Sequence, residues 1–277
     1  MVANTVSLES IARIASAAGQ AAVTLYHSRD VWVREKPDGS PVTEADLASE
    51  QVIQTALRSL DSTIPYLSEE SGPPSPDERR GWDRFWLVDP LDGTKEFIRR
   101  TDEFTVNIAL IDEGEPVMGV VAAPALGLLY YAAKGRGAWK VREGQPPERL
   151  ESRLADPTKP LRIVESRSHP SPELELFLED YTVTDRLRIG SSLKFCLLAE
   201  AAADIYPRLG PTMEWDVAAG DCVYRHSAAN GTSHPSPLTY NKPSLQNDYF
   251  VLGLPPGSYT LPPARPAWQS EGRRRHS

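Results

Sequence analysis

The sequence predicts a mixed α+β and α/β fold of two units. Short strand-like runs joined by short turns fill residues 85–141, which is typical of an antiparallel sheet. From residue 161 onward, strand-like and helix-like segments alternate, which is typical of an α/β unit. The 277 residues are enough for one large domain or for two smaller ones, each with its own core.

Two helices open the N-terminal unit. Apolar residues recur at three- and four-residue steps over residues 7–28, so this segment is predicted to be an amphipathic helix. A turn cluster at 36–41 precedes a second helix, which is expected to run from Thr43 to about Leu60 with the Thr43 hydroxyl as its N-cap. Residues 73–80 are rich in proline and charge and are predicted to form a surface loop.

The strands of the N-terminal unit follow these helices. They are predicted at 85–88, 104–111, 117–122, 128–133 and 138–141, with a hairpin turn at 112–115. The two early helices are expected to pack on the resulting sheet, because an apolar sheet face must be covered.

A change of composition marks the predicted boundary between the units. Residues 143–160 hold four prolines and many charges, so the units are predicted as 1–155 and 156–253. The second unit is predicted to contain strands at 161–165, 183–189, 204–208 and 249–252 and helices at 172–180, 192–203 and 215–227. Residues 254–277 hold five prolines and are expected to be disordered.

The charge balance and the cysteine content exclude several classes of protein. Lys and Arg number 30 against 38 Asp and Glu, a net charge of −8, which argues against a non-specific nucleic-acid coat. No run approaches the roughly 18 apolar residues of a membrane span, and the N-terminus lacks the layout of a secretory signal. Two cysteines, Cys196 and Cys222, form no disulfide framework and are expected to be buried thiols, so a cytoplasmic protein is predicted.

The most informative segment is WLVDPLDGT, residues 86–94. An apolar strand ends in Asp89 and Asp92, and Gly93 allows the backbone to approach a ligand closely. Gly93 and Thr94 would then open a helix whose N–H groups bind a phosphate. The alternative is that both aspartates are turn or N-cap residues.

Two further acidic clusters favour a metal site. Glu69 and Glu70 follow an apolar pair, and Glu214 and Asp216 precede a predicted helix; each cluster alone would be a solvated strand end or an N-cap. Mg²⁺ takes oxygen ligands, so carboxylates that come together from separate strand ends and helix starts suit it. The candidate ligands are Glu69, Asp89, Asp92 and Asp216. The scattered histidines show no zinc spacing.

Asp46 has two interpretations. Thr43 and Asp46 have the spacing of a capping box, which is a structural role. A carboxylate in the first turn of a helix can equally orient a water or a hydroxyl group nearby. The spacing alone leaves both roles open.

Three segments resemble the two signature motifs of the inositol monophosphatase superfamily of metal-dependent, lithium-sensitive phosphomonoesterases. They are Glu69-Glu70, residues 89–94, and Trp215-Asp216 with Ala218-Ala219-Gly220. The resemblance runs from about residue 7 to 253 and implies a layered αβαβα sandwich. Residues 95–97, 166–170, 190–196 and 203–216 are similar to the 3′(2′),5′-bisphosphate nucleotidases of the CysQ type. After Gly220 the chain departs from the family's Gly-rich, aliphatic pattern, so the turn geometry over 221–235 is left open.

The resemblance implies a hydrolase that removes the 3′-phosphate of 3′-phosphoadenosine 5′-phosphate, giving AMP and phosphate, in sulfur assimilation or nucleotide recycling. It implies two or three Mg²⁺ ions held by Glu69, Asp89, the Leu91 carbonyl, Asp92 and Asp216. It implies that Asp46, Glu69 and Thr94 activate the attacking water and that Lys36 lies in a loop near the metals. Implied substrate contacts are Asp92, Gly93, Thr94, His169, Ser192, Lys194, Arg208 and Asp216.

Two alternatives remain beside this hypothesis. One is a phosphatase of the same chemistry that acts on inositol monophosphate or another small sugar phosphate. The other is a non-catalytic metal- or nucleotide-binding module, against which the complete acidic set argues. The expected partner is a small-molecule substrate, with no nucleic acid and no integral membrane segment, and a homodimer is one option that the sequence leaves open.

Overall fold

The computed structural model describes residues 6–28, 31–37, 39–168 and 171–263. Helices α1 (Leu8–Tyr26) and α2 (Glu44–Leu60) are joined through the hairpin strands β1 (Val33–Glu35) and β2 (Pro41–Thr43). Both helices lie where the sequence predicts them. The predicted Thr43 cap is also confirmed, because its hydroxyl accepts the Ala45 N–H and Asp46 completes a capping box.

A seven-stranded sheet forms the centre of the fold. Its spatial order follows the chain: β3 (Tyr66–Ser68), β4 (Arg84–Asp92), β5 (Thr105–Asp112), β6 (Glu115–Ala123), β7 (Leu128–Ala133), β8 (Gly137–Arg142) and β9 (Glu148–Leu150). Only the β3–β4 pair is parallel among these seven strands, so the predicted antiparallel character is confirmed. Strand β9 was not predicted; it lies inside the proposed boundary segment and extends the sheet.

The later elements alternate as the sequence predicts. They are β10 (Leu161–Ser166), α5 (Pro172–Leu178), β11 (Val183–Ile189), α6 (Leu193–Ala199), β12 (Tyr206–Arg208), α7 (Glu214–Arg225) and β13 (Phe250–Leu252). Strands β10 and β11 pair in parallel, and β12 pairs with β13 antiparallel.

The elements stack in five layers. Helices α1 and α2 cover one face of the large sheet, and α6 and α7 cover the other. The smaller strands lie beyond α6, and α5 packs outside them. This is the αβαβα sandwich expected from the resemblance. The largest core combines residues from both predicted units, from Leu67 to Leu252, because α7 packs directly on the N-terminal sheet.

Two segments differ from the sequence-based expectation. The predicted surface loop 73–80 contains a short helix, α3 (Pro76–Arg79), and Arg79 is only 2% exposed. In the predicted disordered tail, Leu254 is buried and Tyr259 packs on Phe177, so residues 254–263 contribute to the core. This corrects the expectation for that part of the tail, and residues 264–277 lie outside the described residues.

The polar stretch that departs from the family pattern is accommodated by internal pairing. Asp221 is fully buried and accepts hydrogen bonds from Arg225 at 2.8 Å and from the Tyr240 hydroxyl at 2.7 Å. Helix α7 thus keeps its length to Arg225. Cys196 and Cys222 are buried free thiols, as predicted. In the part of the chain that the structure describes, no helix is long and apolar enough to cross a membrane.

Replacing Gly119 by alanine should destabilise the protein, because β6 and α7 touch at this glycine. An added Cβ would lie 2.5 Å from the Cys222 Cβ and 2.8 Å from the Ala219 carbonyl. Overpacking of this kind costs about 1–3 kcal/mol of unfolding free energy. Gly81→Ala is the matched control, since its Cβ would meet nothing within 4 Å. Urea unfolding of both variants measures the difference, and equal stabilities would contradict this packing.

Candidate active site

Three carboxylates from separate elements meet at one edge of the large sheet. Because β3 and β4 are parallel, their carboxyl ends lie side by side and bring Glu69 next to Asp89. The first turn of α7 adds Asp216. Ligand oxygens of Glu69, Asp89 and Asp216 all lie within 4.8 Å of one another. Three of the four predicted acids are therefore brought together, and the fourth, Asp92, lines the same cavity.

The β4 strand end shapes the rest of the cluster. Its pairing with β5 shifts register between Asp89 and Asp92, which lets both carboxylates reach the same cavity. The Asp89 carboxylate accepts the Leu91 N–H at 3.0 Å, and this bond fixes the turn at Leu91. The cavity has a volume of about 610 Å³ and is lined by Glu69, Asp89, Leu91, Asp92, Gly93, Thr94 and Asp216 among others.

The buried acids of the cluster have raised pKa values, which indicates an excess of negative charge. Burial, followed by the neighbouring Glu69, Asp92 and Asp216 carboxylates, raises the pKa of Asp89 well above its usual value. Burial likewise raises the pKa of Asp216, with Asp92 and Glu69 adding to it. Burial raises the pKa of Asp92 to about 6, although Lys194 opposes the shift. Clustered oxygen donors with this excess of negative charge fit a hard cation such as Mg²⁺.

Gly93 and Thr94 form the turn that follows the acids. Gly93 has a φ of +93°, a conformation that favours glycine, and an added Cβ would lie 3.1 Å from the Glu103 carbonyl. Helix α4 (Thr94–Arg99) begins directly afterwards. A helix start leaves backbone N–H groups without intrahelical partners, and here Gly93 and Thr94 line the cavity.

Asp46 combines the two interpretations that the sequence left open. One oxygen, Oδ2, accepts the Thr43 N–H at 2.8 Å and the Thr43 hydroxyl at 2.6 Å, which is the capping role. The other, Oδ1, accepts the Thr94 hydroxyl at 3.2 Å, and so it faces the cavity side. Burial raises the pKa of Asp46. One oxygen of Asp46 therefore has the capping role, and the other is available to orient Thr94.

One face of α2 holds both acid-bearing strand ends. Ser49 donates its hydroxyl to the Pro90 carbonyl at 2.7 Å, next to the β4 acids. Glu50 accepts the Tyr66 hydroxyl at 2.7 Å and the Ser68 hydroxyl at 2.8 Å, next to Glu69. With Asp46, these residues follow the three- and four-residue spacing of one helix face.

The loop between β1 and β2 reaches the cluster through Lys36. Its ammonium donates to Glu69 at 2.7 Å and to Glu70 at 2.6 Å. Burial raises the pKa of Glu70 to about 7, and Lys36 opposes that shift. This loop therefore lies close to the candidate metal ligand Glu69, as expected.

Two basic side chains, Lys194 and Arg208, also line the cavity. Lys194 is 6% exposed, and burial lowers its pKa to about 8, with Asp92 opposing the shift. Arg208 is 8% exposed and donates to the Pro211 carbonyl at 2.6 Å. An acidic protein thus presents two buried cationic side chains in the same cavity as its acidic cluster.

Ser192, a predicted substrate contact, is not among the residues that line the cavity. The Ser192 hydroxyl accepts from the Asn107 amide at 3.0 Å and donates to the Asp216 carbonyl at 2.5 Å, so it supports the cluster from within the protein. Ser191, at a φ of +51°, lines the cavity instead. Sequence reasoning missed Ser191, since its side-chain direction depends on that backbone conformation. His169 lies outside the described residues.

Mg²⁺ should stabilise this protein more at higher pH. The raised pKa values of Asp92, about 6, and Glu70, about 7, mean that the folded protein binds protons more tightly than the unfolded chain. That stabilising contribution is complete below about pH 4 and is lost as the pH rises through 6 and 7. A metal ion needs ionised carboxylates, so its affinity rises over the same window.

Thermal unfolding with and without saturating MgCl₂ checks this expectation. At about pH 8 we expect a gain of about 2–3 kcal/mol, and at about pH 5.5 most of that gain should disappear. Replacing MgCl₂ by NaCl at equal ionic strength controls for screening. A Mg²⁺-dependent gain that is equal or larger at the acidic pH would contradict the expectation.

Comparisons with known proteins identify relatives of this chain. A family model described as the inositol monophosphatase family matches residues 5–235. The chain is 50% identical over 217 residues to the 3′(2′),5′-bisphosphate nucleotidase CysQ of Salmonella typhimurium, covering 78% of this chain and 86% of that protein. It is 48% identical over 252 residues to the protein of the same name from Escherichia coli K12, covering 89% and 99%.

Solved structures confirm the fold. The crystal structure of CysQ from Bacteroides thetaiotaomicron, described as a bacterial member of the inositol monophosphatase family, superposes with a TM-score of 0.72. It is 39% identical and covers 88% of this chain and 96% of that chain. The Thermotoga maritima IMPase is 22% identical with a TM-score of 0.67, covers 89% and 92%, and supports the fold alone.

Proposed function

The chain belongs to the inositol monophosphatase family, and from this premise we propose that it is a Mg²⁺-dependent phosphomonoesterase acting on 3′-phosphoadenosine 5′-phosphate. One observation carries the choice of substrate. The same cavity is lined by a buried acidic cluster and by the buried cations Lys194 and Arg208. A bisphosphate has one phosphate for the metal-binding acids and a second for the two cations. The curated relatives named above carry the name of that activity.

The proposed metal ligands are the acids of the cluster and one carbonyl. They are Glu69, Asp89, the Leu91 carbonyl, Asp92 and Asp216. Two or three Mg²⁺ ions bound there would lower the pKa of a water and neutralise charge on the phosphoryl and leaving oxygens.

Side-chain and backbone groups of the protein orient the substrate phosphates and the attacking water. The Gly93 and Thr94 N–H groups orient the phosphate that is cleaved. Asp46 accepts a hydrogen bond from the Thr94 hydroxyl, and this leaves the Thr94 oxygen lone pairs to accept a hydrogen bond from the attacking water. The water oxygen attacks phosphorus in line with the 3′-oxygen, the bond from phosphorus to that oxygen breaks, and the proton lost by the water passes through solvent to the 3′-oxygen, so that AMP and phosphate form. Lys194 and Arg208 hold the 5′-phosphate during the step.

The wider setting belongs to the same proposal. An acidic chain with two buried, unpaired thiols suits a reducing cytoplasm, and the substrate class suits sulfur assimilation or nucleotide recycling. The proposed partner is the small-molecule substrate. The molar mass from light scattering distinguishes a monomer from a homodimer.

A side-by-side assay of phosphate release tests the substrate. The purified protein receives 3′-phosphoadenosine 5′-phosphate or inositol 1-phosphate at saturating Mg²⁺, with the 2′ isomer and the 5′-phosphosulfate as further substrates. We expect kcat/KM for the bisphosphate to exceed that for the inositol ester by about 100-fold, since two charge-assisted contacts are added. Preference for the inositol ester would overturn the substrate assignment. No turnover of any ester would favour a non-catalytic module.

A further inference from the structure

A polar segment outside the cavity joins two parts of the chain that carry acids of the cluster. Residues 239–247, which we name the strap, lie between α7 and β13. The strap is bonded on one side to the start of α7, two residues before Asp216. On another side it is bonded to residues 74–82, which follow Glu69 along the chain. The strap therefore ties the chain near one candidate metal ligand to the chain near another.

A buried carboxylate makes the bond to α7. Glu214 is 0% exposed, and its Oε1 accepts the backbone N–H of Lys242 at 3.0 Å and the Lys242 ammonium at 2.7 Å. Its Oε2 accepts the Asn241 N–H at 2.7 Å. The Lys242 ammonium also donates to the Thr239 carbonyl at 2.8 Å and to the Asn247 side-chain oxygen at 3.0 Å. A buried network with its partners in place specifies one geometry.

A buried arginine makes the bond to the other side. Arg79 donates to the Asn241 side-chain oxygen at 2.8 Å, to the Lys242 carbonyl at 3.2 Å and to the Pro74 carbonyl at 3.0 Å. The Asn241 amide returns bonds to the Arg79 and Trp82 carbonyls at 2.9 and 3.2 Å. Asn241 has a φ of +65°, a conformation that asparagine tolerates better than most residues. This one residue therefore contacts both Glu214 and Arg79.

We propose that the strap sets the spacing of the metal site, with Glu214 and Asn241 as its positioning residues. They hold the start of α7, and with it Asp216, against the segment that follows Glu69. Metal affinity depends on ligand spacing, and partners that orient ligands typically change it by about 10–100-fold. The inference rests on the metal-binding part of the proposed function and is independent of which phosphate ester is hydrolysed.

The test measures Mg²⁺ binding to the substrate-free protein by isothermal titration calorimetry. Glu214→Gln removes the charge that pairs with Lys242 and one of the two acceptor oxygens, so it weakens the side-chain bond between the strap and α7, while the backbone bond from the Glu214 N–H to the Leu245 carbonyl stays. Asn241→Gly removes the side-chain bonds between Asn241 and Arg79, keeps the bond from Arg79 to the Lys242 carbonyl, and suits the positive φ. We expect each variant to bind Mg²⁺ about 10-fold more weakly. The double variant should bind Mg²⁺ at least as weakly as the weaker single variant, because the two substitutions remove different bonds to the strap.

Tyr240→Phe is the matched control. It removes a buried hydrogen bond of 2.7 Å to Asp221 from the same segment, but neither Glu214 nor Arg79 takes part in that bond. It should lower the melting temperature and leave Mg²⁺ affinity unchanged. Unchanged Mg²⁺ affinity in Asn241→Gly would overturn the proposal, even if Glu214→Gln fails to fold. Wild-type protein that binds Mg²⁺ without hydrolysing the bisphosphate would refute the substrate assignment and leave the strap test intact.

Discussion

Asp89→Asn should lose turnover of the bisphosphate by about 10³-fold or more while the protein stays folded. The change removes a charged ligand from the cluster, and metal stabilisation of the transition state supplies several kcal/mol, at about 1.4 kcal/mol for each tenfold in rate. An asparagine oxygen can still accept the Leu91 N–H, which Asp89 binds at 3.0 Å. Measuring kcat at saturating Mg²⁺, with circular dichroism as the check of folding, tests this expectation.

The same variant should be at least as stable as the wild type when EDTA is present. Burial, and then the neighbouring Glu69, Asp92 and Asp216 carboxylates, raise the pKa of Asp89, so a neutral side chain removes the cost of a buried charge in the metal-free protein. Loss of activity without loss of stability distinguishes a ligand from a structural residue.

Asp221→Asn is the matched control for Asp89→Asn. Asp221 is another fully buried aspartate, on α7, but it pairs with Arg225 and Tyr240 outside the cluster. We expect this variant to lose stability and to keep its kcat. Near-normal turnover by Asp89→Asn at saturating Mg²⁺ would rule out the assignment of the metal ligands.

Lys194→Met should raise KM for the bisphosphate by about 10–100-fold with little change in kcat. The side chains have similar length, and a hydrogen bond between charged groups contributes about 1.5–3 kcal/mol. Any turnover of inositol 1-phosphate should be unchanged, because that ester has no second phosphate for Lys194 to bind. Steady-state kinetics with both esters at saturating Mg²⁺ measure the split.

Lys140→Met controls for removing a largely buried lysine elsewhere. Lys140 is 14% exposed at its side chain and pairs with Glu200 at 2.6 Å, outside the residues that line the cavity. Its KM values should match the wild type. An equal loss toward both esters in Lys194→Met would show that Lys194 supports the cluster and has no selective role toward the second phosphate.

The elements of the fold were predictable where the pattern is local. The α1 periodicity and the alternating runs of the large sheet are properties of neighbouring residues, and both are confirmed. Strand β9 escaped prediction because its three residues, Glu148–Leu150, are mostly exposed and become a strand only by pairing with β8. Arg79 was assigned to a surface loop because its partners, Asn241 and the strap carbonyls, are distant in sequence.

The candidate site follows the same division. The acids were predictable because each follows an apolar strand or precedes a helix. That Ser191 and not Ser192 lines the cavity was not predictable. Gly190 sets the turn there by packing against Glu96 and Glu103, and an added Cβ would lie 2.7 Å from the Glu96 Cγ. Such a contact across the fold leaves no signal in a single sequence.

The shared attachment to α2 has a consequence for motion. Asp46, Ser49 and Glu50 fasten the ends of β3 and β4 to a single helix of 17 residues. Thermal displacements of the two strand ends are then correlated, since a rigid helix carries both of them together. The distance between Glu69 and Asp89 should fluctuate less than the position of either residue relative to the rest of the molecule.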